Sequence, residues 1–451
     1  MRYLLGLTLS LFCFFQNAIA KESFPSTTCL GSREGDPASL VENVSTIHGD
    51  YTEVEVDLTV AAPDSLILSR FYSSRDTIQT ATLGGWRFNP HCFLSIRKDP
   101  KGKAYTTGEG KFEYTYVFAG TPEGSILTYV GWHNPSSQKN RTLFKIDVEE
   151  KTLGLTNTAR GNINAWTNLK NNELYFNSQN NSFELVLSSG GRRFYVKHPS
   201  VDLYLLKLEV LPSGNKIFYT FDDRGQLVLI KETNAQEKKV LGWIKIEYGD
   251  GVHIDTSEGK TVDYCFQQDA SGHTLLSQVI RSDKPSLSYQ YKILNGRALL
   301  TKKELPEGRF VSIDYDANQE NKVSSVTTPA TLDETTTTRF SYGQDSDGTG
   351  WTKVSGPLSH KTLYRFDEDL QLTSIEQYLN GNLYRVHKKF WGKQQNVSNL
   401  LATSIEDSHG AVFYYKSYIY DDKGTGNIIE ERKYGNLTGA NPGSIACDEK
   451  G

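Results

Sequence analysis

Apolar and polar residues alternate along most of this chain. Val54, Val56, Leu58 and Val60 interleave with Glu53, Glu55, Asp57 and Thr59, a period of two that puts the apolar set on one face of a strand and the carboxylates on the other. The same alternation recurs at 66–72, 203–210, 240–248 and 286–291. Between these runs fall turn signals: Lys101-Gly102, Gly190-Gly191, Ser213-Gly214-Asn215, Asp250-Gly251, Asn295-Gly296 and Asn380-Gly381. Strand, tight turn, strand is the repeating statement. Helical windows are confined to residues 375–379 and 396–405, and neither is capped at both ends. Residues 327–338, with Pro329 and four consecutive threonines from Thr335, read as a long loop entering a strand, the alternative being a β-branched strand on an exposed face. The pattern predicts an all-β fold in which successive hairpins share one apolar side and so form a large curved sheet.

Composition narrows the class. With 451 residues, 37% hydrophobic and 12% aromatic, the chain is neither a disordered tail nor a coiled coil. A net charge of −4 gives no electrostatic reason for a nucleic-acid partner. Arg2, the apolar residues 4–15 and Ala18-Ile19-Ala20 read as an export signal cut after Ala20, too short to span a bilayer. The mature chain is therefore expected outside the cytoplasm, secreted or at the cell envelope, with no membrane span. Residues 1–20 are then the signal, 21–39 a linker, 40–200 an N-terminal β region, 201–439 a hairpin-repeat region and 440–451 a polar tail. In that oxidising setting Cys29, Cys92, Cys265 and Cys447 allow two disulfides, with buried free thiols as the equal alternative.

Within the second region an aromatic followed by Asp, a few turn residues and a hydrophobic residue recurs. Phe221-Asp222-Asp223-Arg224-Gly225-Gln226-Leu227 is the clearest copy. Looser ones lie at 266–275, at Tyr315-Asp316, at Phe366-Asp367 and at Tyr420-Asp421. In each, the aromatic closes a strand on the apolar face, the Asp accepts from backbone N–H groups of the turn, and Gly takes positive φ. Together with Ser417-Tyr418-Ile419-Tyr420-Asp421, Gly426-Asn427-Ile428 and the upstream series His48-Gly49-Asp50-Tyr51, Glu55-Val56-Asp57-Leu58, Arg70, Tyr72 and Gly84-Gly85-Trp86, the pattern resembles the Rhs/YD-repeat family. The resemblance spans residues 40–86 and 203–439. It implies a cocoon-like shell of spiralling hairpins, or an open part of one, that encloses or presents a polypeptide effector. Leu83 stands where the family's upstream segment often has Gly, and the copies are unevenly spaced. No self-cleavage motif or effector domain of the family is matched before Gly451.

Candidate chemistry is sparse. No catalytic residue and no cofactor is expected. Asp345-Ser346-Asp347-Gly348-Thr349 spells an aspartyl-phosphotransferase motif, but that chemistry needs the end of a buried parallel strand. An exposed turn is the favoured reading, with Asp345 and Asp347 as weak metal-ligand candidates. His91 beside Cys92 would place ring and thiol on opposite faces of a strand. Trp132, Trp166, Trp351 and Trp391 are core residues or, in the alternative, a sugar platform. Asn43, Asn140, Asn180, Asn396 and Asn436 head sequons. The expected partner is an enclosed or downstream effector polypeptide. A cell-surface adhesin for a glycan or host receptor, and a carbohydrate hydrolase with paired carboxylates, are the alternatives.

Overall fold

The computed structural model describes residues 40–74, 85–88, 92–98, 104–107, 110–120, 126–133, 142–146 and 173–435, the last range without 188, 271, 332, 347–348, 358–359, 368–370, 393–399 and 421–427. Nearly everything described is antiparallel strand. Phe93–Lys98, Gly110–Gly120, Ile126–His133, Thr142–Ile146, Glu173–Asn177, Ser182–Val186, Arg192–Lys197 and Tyr204–Val210 pair in succession. The last returns to the first through Tyr204↔Leu94 and Leu205↔Phe93, which makes a ring. On the same edge of that last strand, Leu208 to Val210 pair with Lys216–Phe221 instead. From there the sheet leaves the ring and runs on, hairpin after hairpin, to Ile428–Gly435. The whole is a scroll and not a closed barrel.

Its hairpins are built as the sequence predicts. Asp222 accepts from the N–H groups of Arg224 at 3.0 Å and Gln226 at 2.8 Å, and Gly225 has φ 76°. Asp269, Asp316 and Asp367 cap their turns in the same way. So does Asp407, which lacks the preceding aromatic and escapes the sequence pattern.

A β-bulge falls beside the closing aromatic in hairpin after hairpin. It sets Phe221 opposite Leu227, Phe266 opposite Leu276, Tyr291 opposite Leu300, Tyr315 opposite Val323, Phe366 opposite Leu372, Trp391 opposite Leu400 and Tyr420 opposite Ile428. A bulge disrupts the local ladder, and here the aromatic of the neighbouring strand donates to the carbonyl beside it. Tyr248 donates to Leu227 at 2.9 Å, Tyr315 to Leu300 at 2.8 Å, Tyr342 to Val323 at 2.7 Å, the Trp391 indole to Leu372 at 2.8 Å and Tyr420 to Leu400 at 2.7 Å. Burial holds the Tyr248, Tyr315 and Tyr342 hydroxyls well above the ordinary phenol range, so they remain donors.

Two local expectations are corrected. Residues 375–379 and 400–405 are not helical, because they belong to the strands Leu372–Leu379, which buries Leu372 and Ile375, and Leu400–Glu406, which buries every second residue; residues 396–399 lie outside the described residues. Residues 327–338 are mostly strand: Lys322–Pro329 pairs with Thr335–Gln344, the β-branched threonines suiting a pleated surface. The signal segment, linker and C-terminal tail lie outside the described residues.

Candidate functional site at the docked N-terminal sheet

A second, three-stranded sheet is made by Thr52–Val60, Leu66–Ser73 and Trp86–Phe88. It lies against the apolar face of the large sheet and shares one core with it, including Leu58, Val60, Leu68, Trp86, Ile244, Ile254, Val279 and Leu300. Gly242 makes close approach possible, since a Cβ there would stand 3.2 Å from the Val60 side chain.

The first strand departs from its sequence reading. A bulge between Val56 and Leu58 leaves Asp57 without a partner in the ladder and shifts the alternation. Asp57 is fully buried and Glu53 is buried, while Val56 is exposed. The carboxylates expected on the polar face therefore turn toward the wall. A bulge of this kind re-aims side chains, and strict period two cannot show it.

Asp57, Arg70, Glu53 and Glu55 have partners on the wall. Arg70 donates to both Asp57 oxygens, at 2.5 and 3.1 Å, and to the Tyr289 hydroxyl at 2.8 Å. The Tyr264 hydroxyl donates to Asp57 at 2.5 Å. The guanidinium carbon lies 4.4 Å from the centre of the Trp86 ring, 5.5 Å from that of Tyr264 and 5.3 Å from that of Tyr289, a desolvated cation–π box. Nearby, Lys303 donates to both Glu53 and Glu55, and Tyr51 donates to Glu53 at 2.5 Å. Burial, reinforced by the Glu55 charge, pushes the Glu53 carboxyl up against the pull of Lys303. Burial acts on Glu55 too, but Lys303 and Arg70 outweigh it and hold that carboxyl below its ordinary value. The Tyr289 hydroxyl is pushed up to about 12 by burial.

Polar contacts continue outward in order. Asn215 donates to Asp64, Lys260 to the Thr59 carbonyl, Arg297 to the Ser74 carbonyl, the Val323 N–H to the Gly49 carbonyl and Thr352 to the Thr46 carbonyl. The Trp86 indole donates to the Tyr291 hydroxyl at 2.9 Å, and the Leu300 N–H to Tyr72 at 2.8 Å. From Asp64 back to Thr46 the N-terminal segment meets progressively later hairpins, crossing the wall as a strap. The space before this part of the wall is filled by the chain's own side chains. Arg70 and Asp57 are sealed from solvent, so the cluster's chemistry is to lock a register, holding opposite charges together where water cannot replace either.

The sequence-derived candidates lie elsewhere. Asp345 is exposed in the turn between Thr335–Gln344 and Gly350–Ser355; its N–H donates to the Thr349 carbonyl at 2.7 Å and its carboxylate accepts from Arg365 at 3.3 Å. Asp347 lies outside the described residues. Among the described residues no group of three metal-ligating side chains occurs. Cys92 and Cys265 are free thiols, and burial pushes the Cys92 thiol far up. His91, Cys29 and Cys447 lie outside the described residues, as do the side chains of Trp132 and Trp166. Trp391 is committed to the Leu372 carbonyl, while Trp351 lies over Gly343 of the adjacent strand, where a Cβ would collide with the ring. Asn43 and Asn180 are exposed; the other sequons lie outside the described residues. No helix among the described residues is long and apolar enough to cross a membrane. Sequence reasoning named Asp57 and Arg70 only as parts of the upstream series and missed their pairing, along with Tyr264, Tyr289 and Lys303; the one available signal was an Arg inside the mostly apolar strand Leu66–Ser73.

No protein-family model matches the chain, and no curated protein matches it. Among solved structures it is similar to the crystal structure of TcdB2-TccC3-Cdc42, with a TM-score of 0.32 and 10% identity over 86% of this chain and 23% of that one. It is also similar to a Photorhabdus luminescens Tc holotoxin pore carrying a TccC3 substitution, with a TM-score of 0.19 and 10% identity over 82% and 26% of the two chains. A porin-like protein from Bacteroides uniformis gives a TM-score of 0.22 and 9% identity over 51% and 91%. The chain thus spans about a quarter of the length of the two toxin chains. Likeness at this level carries nothing about activity or partners.

Proposed function

We propose that this protein is an exported Rhs/YD-repeat shell segment that encloses or presents a polypeptide and makes or breaks no bonds itself. The observation that carries the reading is the single apolar face that runs from the ring through the hairpins to Ile375, with the N-terminal sheet clamped across it by buried ion pairs. Such a face excludes water and proteases from whatever lies against it. The strap seals the part of the wall it crosses, leaving any held polypeptide to lie beyond it. The Asp-capped turns and the bulges beside most of the closing aromatics support membership of the repeat family.

The test appends an unfolded polypeptide with several trypsin sites after Gly451 and follows its cleavage beside the same polypeptide free in solution. Containment expects protection of the appended segment, lost when the wall is unfolded in urea. Cleavage at the free rate would defeat the proposal, and a glycan-array signal abolished by Trp351→Ala would favour adhesion instead.

A further inference from the structure

Strand Ile428–Gly435 is the last of the described sheet. It pairs along its length with Val412–Tyr420, and every side chain from Ile428 to Tyr434 is exposed, Ile429 at 65% being the most exposed large hydrophobic residue among those described. A strand in this position is a template for another strand. Its charges restrict which strand fits. Glu430 and Arg432 form one ion pair at 2.7 Å, and Glu431 is held by Lys433 at 2.8 Å and by Lys416 of the neighbouring strand at 3.1 Å.

We propose that Ile428–Gly435 pairs antiparallel with the same strand of a second copy, about a two-fold axis through Glu431. Two-fold antiparallel pairing sets one residue opposite itself and pairs residues equidistant from it. With Glu431 on the axis, Glu430 of each copy faces Arg432 of the other, and Ile428 faces Tyr434, a β-branched residue against an aromatic. The like pair on the axis is neutralised, because each Glu431 already holds two lysines. An axis through Arg432 would face Glu431 with Lys433, but it would oppose two guanidinium groups that each hold one carboxylate and would set Glu430 against Tyr434. This pairing does not depend on the containment proposed above.

Sedimentation velocity of the full chain over a range of concentrations tests it. The wild type should dimerise. Glu430→Arg alone sets Arg against Arg, and Arg432→Glu alone sets Glu against Glu, so each should weaken self-association by about tenfold or more, with melting temperatures unchanged because both side chains are about half exposed. An equimolar mixture of the two variants restores both opposite-charge pairs and should dimerise. Under mild oxidation Glu431→Cys should give a peptide linked 431 to 431, identified by mass spectrometry, and Arg432→Cys should give far less of its own link. The inference is overturned by a wild type that stays monomeric, by single variants that associate as the wild type does, by a mixture that stays monomeric, or by a link at 432 that exceeds the one at 431.

Discussion

Replacing Arg70 with Met keeps the apolar stem and removes the guanidinium. In the wild type that group satisfies Asp57 twice, bonds Tyr289 and sits among three aromatic rings, all without solvent. Arg70→Met leaves Asp57 with the Tyr264 hydroxyl and no counter-charge. Removing one partner of a buried pair costs about 3–5 kcal/mol, most of it the penalty on the charge left behind. Because the cost falls on the docking of the three-stranded sheet, it should appear first as local opening. Hydrogen exchange in Thr52–Val60 and Leu66–Ser73 should accelerate by about a hundredfold or more, since each 1.4 kcal/mol is a factor of about ten. Exchange in Ile428–Gly435, which the strap does not touch, should stay the same. Replacing Arg70, Asp57, Tyr264 and Tyr289 together by Met, Leu, Phe and Phe removes the orphaned charge with its partners, and should recover most of the loss. Wild-type exchange in the strap of Arg70→Met would refute the claim that this ion pair holds the sheet in place.

Tyr342→Phe removes the donor to the Val323 carbonyl and should lower unfolding stability by about 1–3 kcal/mol, read as a shift in urea midpoint; an unchanged midpoint would show that the carbonyl needs no donor. Gly350→Ala should destabilise by about 1–3 kcal/mol, because a Cβ there collides with the Phe366 ring, which is itself buried. Gly343→Ala should cost less because Trp351, the ring it meets, is half-exposed and can swing away; equal losses in urea would contradict the packing. The His253 Nδ1–H donates to Asp263 at 2.5 Å, and that hydrogen bond, helped by the Asp263 and Asp255 charges, raises its imidazole above the ordinary range despite some burial. The stability it contributes is full below about pH 6.5 and fades as pH rises through the folded-state midpoint. An NMR titration should show that midpoint falling on Asp263→Asn, and no movement would rule out the pairing.

How much of this was legible depended on whether a residue's partner lay nearby in the chain. Strand alternation and the Asp-capped turns are local, so Asp222 and Gly225 could be assigned their roles before any coordinates. The docking of residues 46–74 and 86–88 could not. Asp57 meets Tyr264, and Glu53 meets Lys303, across hundreds of residues, and no periodicity encodes such a contact. The bulge at Asp57 made matters worse, since one extra residue moves a whole set of side chains to the opposite face. Read with unbroken alternation, Glu53, Glu55 and Asp57 are solvent-facing carboxylates; with the bulge they are the buried half of the clamp. The two windows open to a short helix, where they are described, and the threonine-rich stretch went to strand for the related reason that tertiary pairing overrides weak local preference.

The apparent unevenness of the repeat has a physical origin of the same kind. Counted by Tyr-Asp or Phe-Asp pairs, the copies are scattered, yet the aromatic positions Tyr195, Phe221, Tyr248, Phe266, Tyr291, Tyr315, Tyr342, Phe366, Trp391 and Tyr420 fall on alternate strands without a gap, about 25 residues apart. What the sheet needs at each is a flat ring to end a strand on the apolar face. A following Asp is one of several ways to build the next turn; Tyr342 precedes Gly343 and Trp391 precedes Gly392. A hydroxyl or indole N–H serves where it meets a bulge carbonyl of the neighbouring strand, as Leu227 meets Tyr248 and Leu372 meets Trp391, whereas Phe221, beside the bulge at Leu206, supplies only the ring. The ring is therefore the invariant demanded by packing, the donor serves the neighbour's backbone where it is present, and the Asp serves the turn alone. A search keyed to the dipeptide finds the least constrained of the three, whereas one keyed to aromatic residues on alternate strands follows the wall itself.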